Sequence, residues 1–148
     1  MEIERKFLVH TLPDNLDAFP LRHIEQGYLN TAPVIRIRRD NDRYELTYKS
    51  KGLLSREEYN LPLTEEAYRH LIPKIDGRLI TKKRYMIPID HTLTAELDVF
   101  EGDLAPLVLV EVEFPDEKSA MSFIAPDWFG EDVTFSGKYH NSYLSQQE

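Results

Sequence analysis

Acidic and basic side chains recur in this chain two residues apart, with aliphatic or aromatic residues between many of them. Glu2, Glu4 and Lys6 open the series. Arg36 and Arg38 follow, then Glu45, Thr47 and Lys49, then Arg56 and Glu58. Lys82 and Arg84, Glu96 and Asp98, and Glu111 and Glu113 complete it. Clustered carboxylates bind hard divalent cations such as Mg²⁺ or Mn²⁺. Clustered Arg and Lys bind phosphoryl oxygens, and Arg can do so through two parallel hydrogen bonds. A site holding both signs suits a metal–polyphosphate complex, in which the metal bridges phosphates and the bases neutralise the remaining charge.

A spacing of two is the period of a β-strand, so each of these groups lies on one face of its strand. The opposite face is apolar: Ile35 and Ile37, then Tyr44, Leu46 and Tyr48, then Tyr85, Ile87 and Ile89, then Leu97 and Val99, then Val110, Val112 and Phe114. The alternation predicts strands over Glu2–Val9, Glu25–Asn30, Val34–Asp40, Arg43–Ser50, Ser55–Pro62, Ile80–Pro88, Thr92–Phe100 and Leu107–Phe114. Turn chemistry at 31–33, 40–42, around Asp90 and at 101–103 links most of them closely, which implies hairpins and antiparallel pairing. Thr64 as N-cap with Glu65 and Glu66 in the first turn predicts a helix to Ile72, and Pro115 opens a second running to about Ile124. Short helical turns are expected near Pro13–Phe19 and Tyr139–Leu144.

Any one such strand fits a sheet whose charges face water. Together they carry more full charges than a wet face needs, and the helices have apolar sides to cover. The expected fold is therefore mainly β (α+β): an eight-stranded antiparallel closed β-barrel, polar within and flanked by a few peripheral helices. A structural ion-pair lattice is the competing reading, although buried lattices are costly to maintain.

At 148 residues the chain suits one domain spanning 1–148. With no cysteine there is no thiolate metal site and no disulfide framework. A net charge of -8 disfavours non-specific binding to nucleic acid or anionic membranes. No apolar stretch approaches the ~20 residues of a membrane span, and the start has no apolar signal region, so a cytoplasmic protein is expected. His10, His23, His70, His91 and His140 show no metal-ligand spacing, and Trp128 reads as an anchor for the C-terminal segment.

The ordered motifs carry a resemblance. Glu2-x-Glu4-x-Lys6 resembles the ExExK signature of the CYTH family, the triphosphate tunnel metalloenzymes. Gln-Gly-Tyr28-Leu, Arg36-Ile-Arg38, Leu46-Thr-Tyr-Lys49, Lys82-Lys-Arg84-Tyr, Glu96-Leu-Asp98, Val110-Glu111-Val-Glu113-Phe and Gly137-Lys138-Tyr follow in the family's order. The resemblance implies an eight-stranded barrel with a hydrated tunnel, in a short bacterial triphosphatase. It also implies roles. Glu2, Glu4, Asp98, Glu111 and Glu113 are the expected metal ligands, for Mg²⁺ or Mn²⁺. Lys6, Arg36, Arg38, Lys49, Lys82, Arg84 and Lys138 are the expected triphosphate-binding set. Lys6 and Tyr28 resemble the catalytic dyad that activates the attacking water, since a lysine beside other cations can surrender its proton near neutral pH.

The expected reaction is hydrolysis of a small triphosphate, with inorganic tripolyphosphate first because no inserted segment for an organic group is evident. Thiamine triphosphatase is an alternative, with Tyr48, Phe100 or Trp128 as candidate aromatic contacts. Class IV adenylyl cyclase is another, although no adenine pocket is specified. A polyphosphate- or nucleotide-binding module without turnover also stands. A homodimer is compatible with exposed aromatics on a barrel wall.

Overall fold

Alternation of charged and apolar residues curls one long antiparallel sheet into a barrel, in a computed structural model that describes residues 1–146. The strands are β1 (Glu2–Val9), β2 (Leu21–Thr31), β3 (Val34–Asp40), β4 (Arg43–Lys49), β5 (Ser55–Arg56), β6 (Glu58–Leu63), β7 (Asp76–Pro88), β8 (Thr94–Phe100), β9 (Val108–Glu113) and β10 (Phe129–Asp132). Their order is β10-β1-β9-β8-β7-β2-β3-β4-β6, and β5 returns to pair with β1. β5 and β6 are two halves of one wall strand broken at Glu57. Ser55 and Arg56 pair with Ile3 and Glu2, whereas residues 58–63 pair with β4. The barrel is thus nearly closed, with β5 and β10 taking successive lengths of the same edge of β1.

Two strand starts differ most from the sequence reading. β2 begins at Leu21 and β7 at Asp76, each four residues before its expected start, because the two pair along most of their length. β10 was not expected. Its Phe129 is buried by packing at 5.0 Å on Phe7, a contact with a residue more than a hundred positions away.

The outer faces of β1, β7, β8 and β9 form one core. Ile3, Phe7, Ile87, Leu97, Val110, Val112 and Phe114 lie beneath Ala120 of α2 (Glu117–Ser122), with Phe123 and Trp128 packed alongside. Arg5, on the same outer face, donates to the Ala120 carbonyl at 2.9 Å and to Asp132 at 2.7 Å, and so ties α2 and β10 to the wall. α1 (Glu65–Leu71) covers part of β3 and β4 through Tyr68, which packs 5.1 Å from Tyr44. Thr64 caps α1 by accepting from the Ala67 amide at 3.0 Å. Thr64→Ala should lower unfolding stability by about 1 kcal/mol with activity intact, read by urea denaturation.

A second core lies inside the barrel. On β2, β3, β7, β8 and β9 the lumen-facing parity passes from charge to Tyr28, Val34, Ile80, Phe100 and Leu109 towards one end. Val133 and Leu144 join this group. Leu144 belongs to α3 (Asn141–Leu144), which packs into that end. Gly77 makes the docking possible: its φ is +69°, and a Cβ there would stand 2.2 Å from the Ser145 carbonyl oxygen. The same carbonyl accepts from the Arg78 amide at 2.7 Å.

Candidate active site

Between the apolar end and the strand turns at the opposite rim lies a polar cavity of about 60 Å³. Glu2, Glu4 and Lys6 line it from β1, Tyr28 from β2, and Arg36 and Arg38 from β3. Lys49, Glu58, Arg84, Glu96 and Glu111 come from five further strands. Strand pairing sets these neighbours: Glu4 stands opposite Glu113, Lys6 opposite Glu111, and Glu96 opposite Glu111.

The two signs meet directly. Lys49 Nζ donates to both Glu2 carboxylate oxygens at 3.0 Å and lies 3.4 Å from Glu58. Lys6 Nζ lies 3.4 Å from Glu111 and donates to the Tyr139 carbonyl at 3.0 Å. Arg84 holds Asp98 through two bonds, Nε to Oδ1 at 2.8 Å and Nη2 to Oδ2 at 2.9 Å, and reaches Glu96 at 3.4 Å. Arg38 donates to Gln26 at 2.8 Å, and Gln26 donates in turn to the Tyr28 hydroxyl at 3.2 Å. Arg36 donates from Nη2 to Thr47 at 3.0 Å, while its buried Nε has no partner among the described residues.

The carboxylates respond unequally. Burial, then the charges of Glu111 and Glu2, push the Glu4 carboxyl well above its usual range. Burial also raises Glu2, against the pull of Lys49. Burial works to raise Glu111, but Lys6, Arg84 and Lys82 outweigh it and hold that group well below the usual range. Among the bases, burial and then Arg36 and Arg84 bring Arg38 down to about 10. Burial, beyond what Asp98 restores, brings Lys82 to about 7. Burial, then Lys6 and Arg56, bring His140 to about 4, so its imidazole is neutral at physiological pH.

The sequence-predicted residues do not all sit alike. Glu2, Glu4, Lys6, Tyr28, Arg36, Arg38, Lys49, Arg84 and Glu111 share the cavity. Asp98 and Lys82 lie deeper in the lumen towards the apolar end, both fully buried, and pair with each other at 2.7 Å. Glu113 is exposed at the rim, and Lys138 is exposed outside the cavity. Tyr48, Phe100 and Trp128 do not line it: Tyr48 packs on Tyr59, Phe100 lies in the apolar end, and Trp128 packs on Phe129. Residues absent from the predicted site are Arg56, Glu58, Glu96, His140, Asn141 and Ser142. Strand parity already placed Arg56, Glu58 and Glu96 with the other charges. His140, Asn141 and Ser142 arrive through the fold-back of the C-terminal segment, which carries no period to read.

Among the described residues no three acidic or histidine side chains stand at the mutual spacing of a ready metal site. The donor chemistry nonetheless suits a hard cation. Glu2, Glu4 and Glu111 are among the five carboxylates that enter one cavity, and the mutual repulsion felt at Glu4 is what a divalent ion would relieve. The orphaned Arg36 Nε in turn suits a phosphoryl oxygen.

A nearly closed antiparallel barrel with acids and bases converging on its lumen defines a polyanion-binding tunnel protein. The chain belongs to the CYTH domain family, whose model matches residues 1–145. An inorganic triphosphatase of Nitrosomonas europaea is 47% identical over 148 residues, covering 97% of this chain and 96% of that protein. One from Acetivibrio thermocellus is 36% identical over 150 residues, covering 97% and 92%. A solved inorganic triphosphatase superposes with a TM-score of 0.74 at 40% identity, covering 100% of this chain and 96% of the other. The same fold recurs, at TM-score 0.60 and 16% identity, over 82% of this chain and 83% of a Hippeastrum protein.

Proposed function

We propose that this protein hydrolyses inorganic tripolyphosphate to pyrophosphate and orthophosphate inside the barrel, with Mg²⁺ or Mn²⁺ as cofactor. The observation that carries the reading is the single cavity in which Glu2, Glu4 and Glu111 face Arg36, Arg38, Lys49 and Arg84. Simple anion binding would need only the bases. The near full-length identity to inorganic triphosphatases from two bacteria supports the same substrate.

In this reading Arg36, Arg38, Lys49 and Arg84 bind the phosphoryl oxygens, and Arg38 is aimed by its bond to Gln26. Glu2, Glu4 and Glu111 would hold the cation, which when bound would supply charge neutralisation and polarisation of the phosphoryl group. For each turnover the oxygen of a water forms a bond to one phosphorus, and the bridging oxygen leaves with the bonding pair. Lys6 Nζ, acting as the free amine, takes one proton of the water, with the Tyr28 hydroxyl orienting the water beside it. Substrate entry exchanges partners: Lys49 passes from Glu2 to phosphate, which would free Glu2 for the cation, and Lys6 is left to the water.

Phosphate release from tripolyphosphate, ATP and thiamine triphosphate, each with Mg²⁺, Mn²⁺ or chelator, tests this directly. Fast release from tripolyphosphate that stops in chelator is the expected result. Faster turnover of thiamine triphosphate or ATP would replace the substrate, and binding without release with either metal would leave only a binding module.

Glu4→Gln separates cation binding from folding. The raised Glu4 carboxyl means that the folded protein favours its protonated form. Stability on this account is greatest below the ordinary carboxylate range and is lost as pH rises through the raised value. Glu4→Gln should therefore lower metal-dependent release by about 10–100-fold. In chelator at neutral pH it should raise Tm by about 2–4 °C. A mutant less stable than the parent in chelator would show that Glu4 is held by its ion pairs and not strained by its neighbours.

A further inference from the structure

The barrel wall has a seam where β1 exchanges one neighbour for another. Glu2 and Ile3 pair with β5, and the Glu4 amide donates to the Leu54 carbonyl at 3.1 Å. β10 takes over at Phe7, opposite Asp132, with a register shift between Phe7 and Val9. Lys6 falls in the gap between these two stretches. Its amide donates to the Thr134 hydroxyl oxygen at 3.0 Å, and its carbonyl accepts from the Val133 amide at 2.9 Å. Both partners lie just past the end of β10, so a side chain stands where a sheet would place a backbone carbonyl.

A hydroxyl can stand in for a carbonyl when its single hydrogen is directed elsewhere. Asp132 directs it: Oδ1 accepts from the Thr134 hydroxyl at 2.6 Å and from the Thr134 amide at 2.9 Å. The Lys6 carbonyl, 3.4 Å from the same hydroxyl, is the poorer acceptor, because the carboxylate is both nearer and charged. The Thr134 lone pairs therefore face the Lys6 amide. Arg5 completes the chain from the outer face of the wall, donating to Asp132 Oδ2 at 2.7 Å. Thr134 and Lys6 are both buried, so without the hydroxyl the Lys6 amide would be left unpaired and away from water. The lysine side chain depends on the same segment: apart from Glu111, the partner of its Nζ is the Tyr139 carbonyl.

We propose that Thr134 is a positioning residue for Lys6: its hydroxyl, aimed by Asp132, closes the seam behind Lys6 and holds Nζ where it meets the attacking water. The assignment rests on the triphosphatase reading with Lys6 as its base, and deepens it. Thr134 does not line the cavity and reaches the reaction only through the main chain of Lys6. Its loss should therefore slow the reaction step and leave substrate binding intact.

The test uses the full chain with tripolyphosphate and Mg²⁺, at a temperature where circular dichroism shows each variant folded. Thr134→Val keeps the shape without the hydroxyl, and should lower kcat about 10–100-fold with KM within about twofold of the parent. Thr134→Ser keeps the hydroxyl and should recover most of the lost kcat. Adding Thr134→Val to Lys6→Ala should cost nothing further, since the group being positioned is gone. An undiminished kcat, a loss carried mainly by KM, no recovery in Thr134→Ser or a full further loss in the double variant each overturn the proposal. Should Thr134→Val not fold, Asp132→Asn replaces it, at a side chain that is 38% exposed. It loosens the hold on the hydroxyl hydrogen and should lower kcat with KM unchanged, and an unaltered kcat overturns the proposal. Should the parent release no phosphate from tripolyphosphate, the triphosphatase reading falls. The positioning is then decided by the Lys6 Nζ resonance in nitrogen NMR: sharp in the parent and broadened in the variant upholds it, and the same in both overturns it.

Discussion

Lys6→Ala should reduce kcat on tripolyphosphate by about 10²–10⁴-fold, the range that a positioned general base supplies. Lys6 is 4% exposed, and its Nζ is held between Glu111 at 3.4 Å and the Tyr139 carbonyl at 3.0 Å. Two partners on a flexible four-carbon stem fix the nitrogen in the cavity before substrate arrives, which removes the entropy of positioning from the reaction step. A loss confined to kcat, with KM nearly unchanged, marks Lys6 as acting on the water. A rise in KM with kcat retained would assign it to phosphate binding alone. Full turnover would remove it from the mechanism. Tyr28→Phe should be milder, because the Gln26 amide that reaches the hydroxyl still holds Arg38.

Asp98→Ala should act on stability, by about 3–5 kcal/mol, since it leaves two cations buried without their partner. Burial works to raise the Asp98 carboxyl, but Arg84 and then Lys82 outweigh it, and the group is held below its usual range. A depressed carboxyl contributes stability that is present above its unfolded value and is lost as pH falls through the folded one. The parent should therefore lose this contribution on acidification from about pH 4 downward, and the mutant should show a flatter acid limb. Urea denaturation across pH reads both effects. A midpoint within experimental error of the parent at pH 7 would mean that Lys82 and Arg84 find other partners. Lys82 is the more adaptable of the two: its Nζ also donates to Asn141 at 2.9 Å, and its own value near 7 lets it shed charge.

The same pair shows how site reading and structure diverge. Lys82 and Asp98 follow the family's motif order and share the lumen parity, so strand period cannot tell them from Lys6 and Glu111. The difference is depth along the tunnel, set by register and by what fills the end. Phe100, two residues beyond Asp98, lies in the apolar end, and the Lys82 ammonium stands 5.3 Å from its ring. Lys138 diverges for another reason. It follows Gly137 in a segment without regular alternation, and the backbone turns His140, Asn141 and Ser142 into the cavity while Lys138 remains exposed.

Strand period, turn residues and one helix cap were enough to specify the barrel class, the faces of its walls and most of the charged lining. All of these are local properties, carried by neighbours two to four residues apart. Closure at Glu57, β10 against β1 and α3 in the apolar end were settled by contacts across the chain. No local pattern encodes such contacts, because register and depth depend on which strands meet and on the volume left between them.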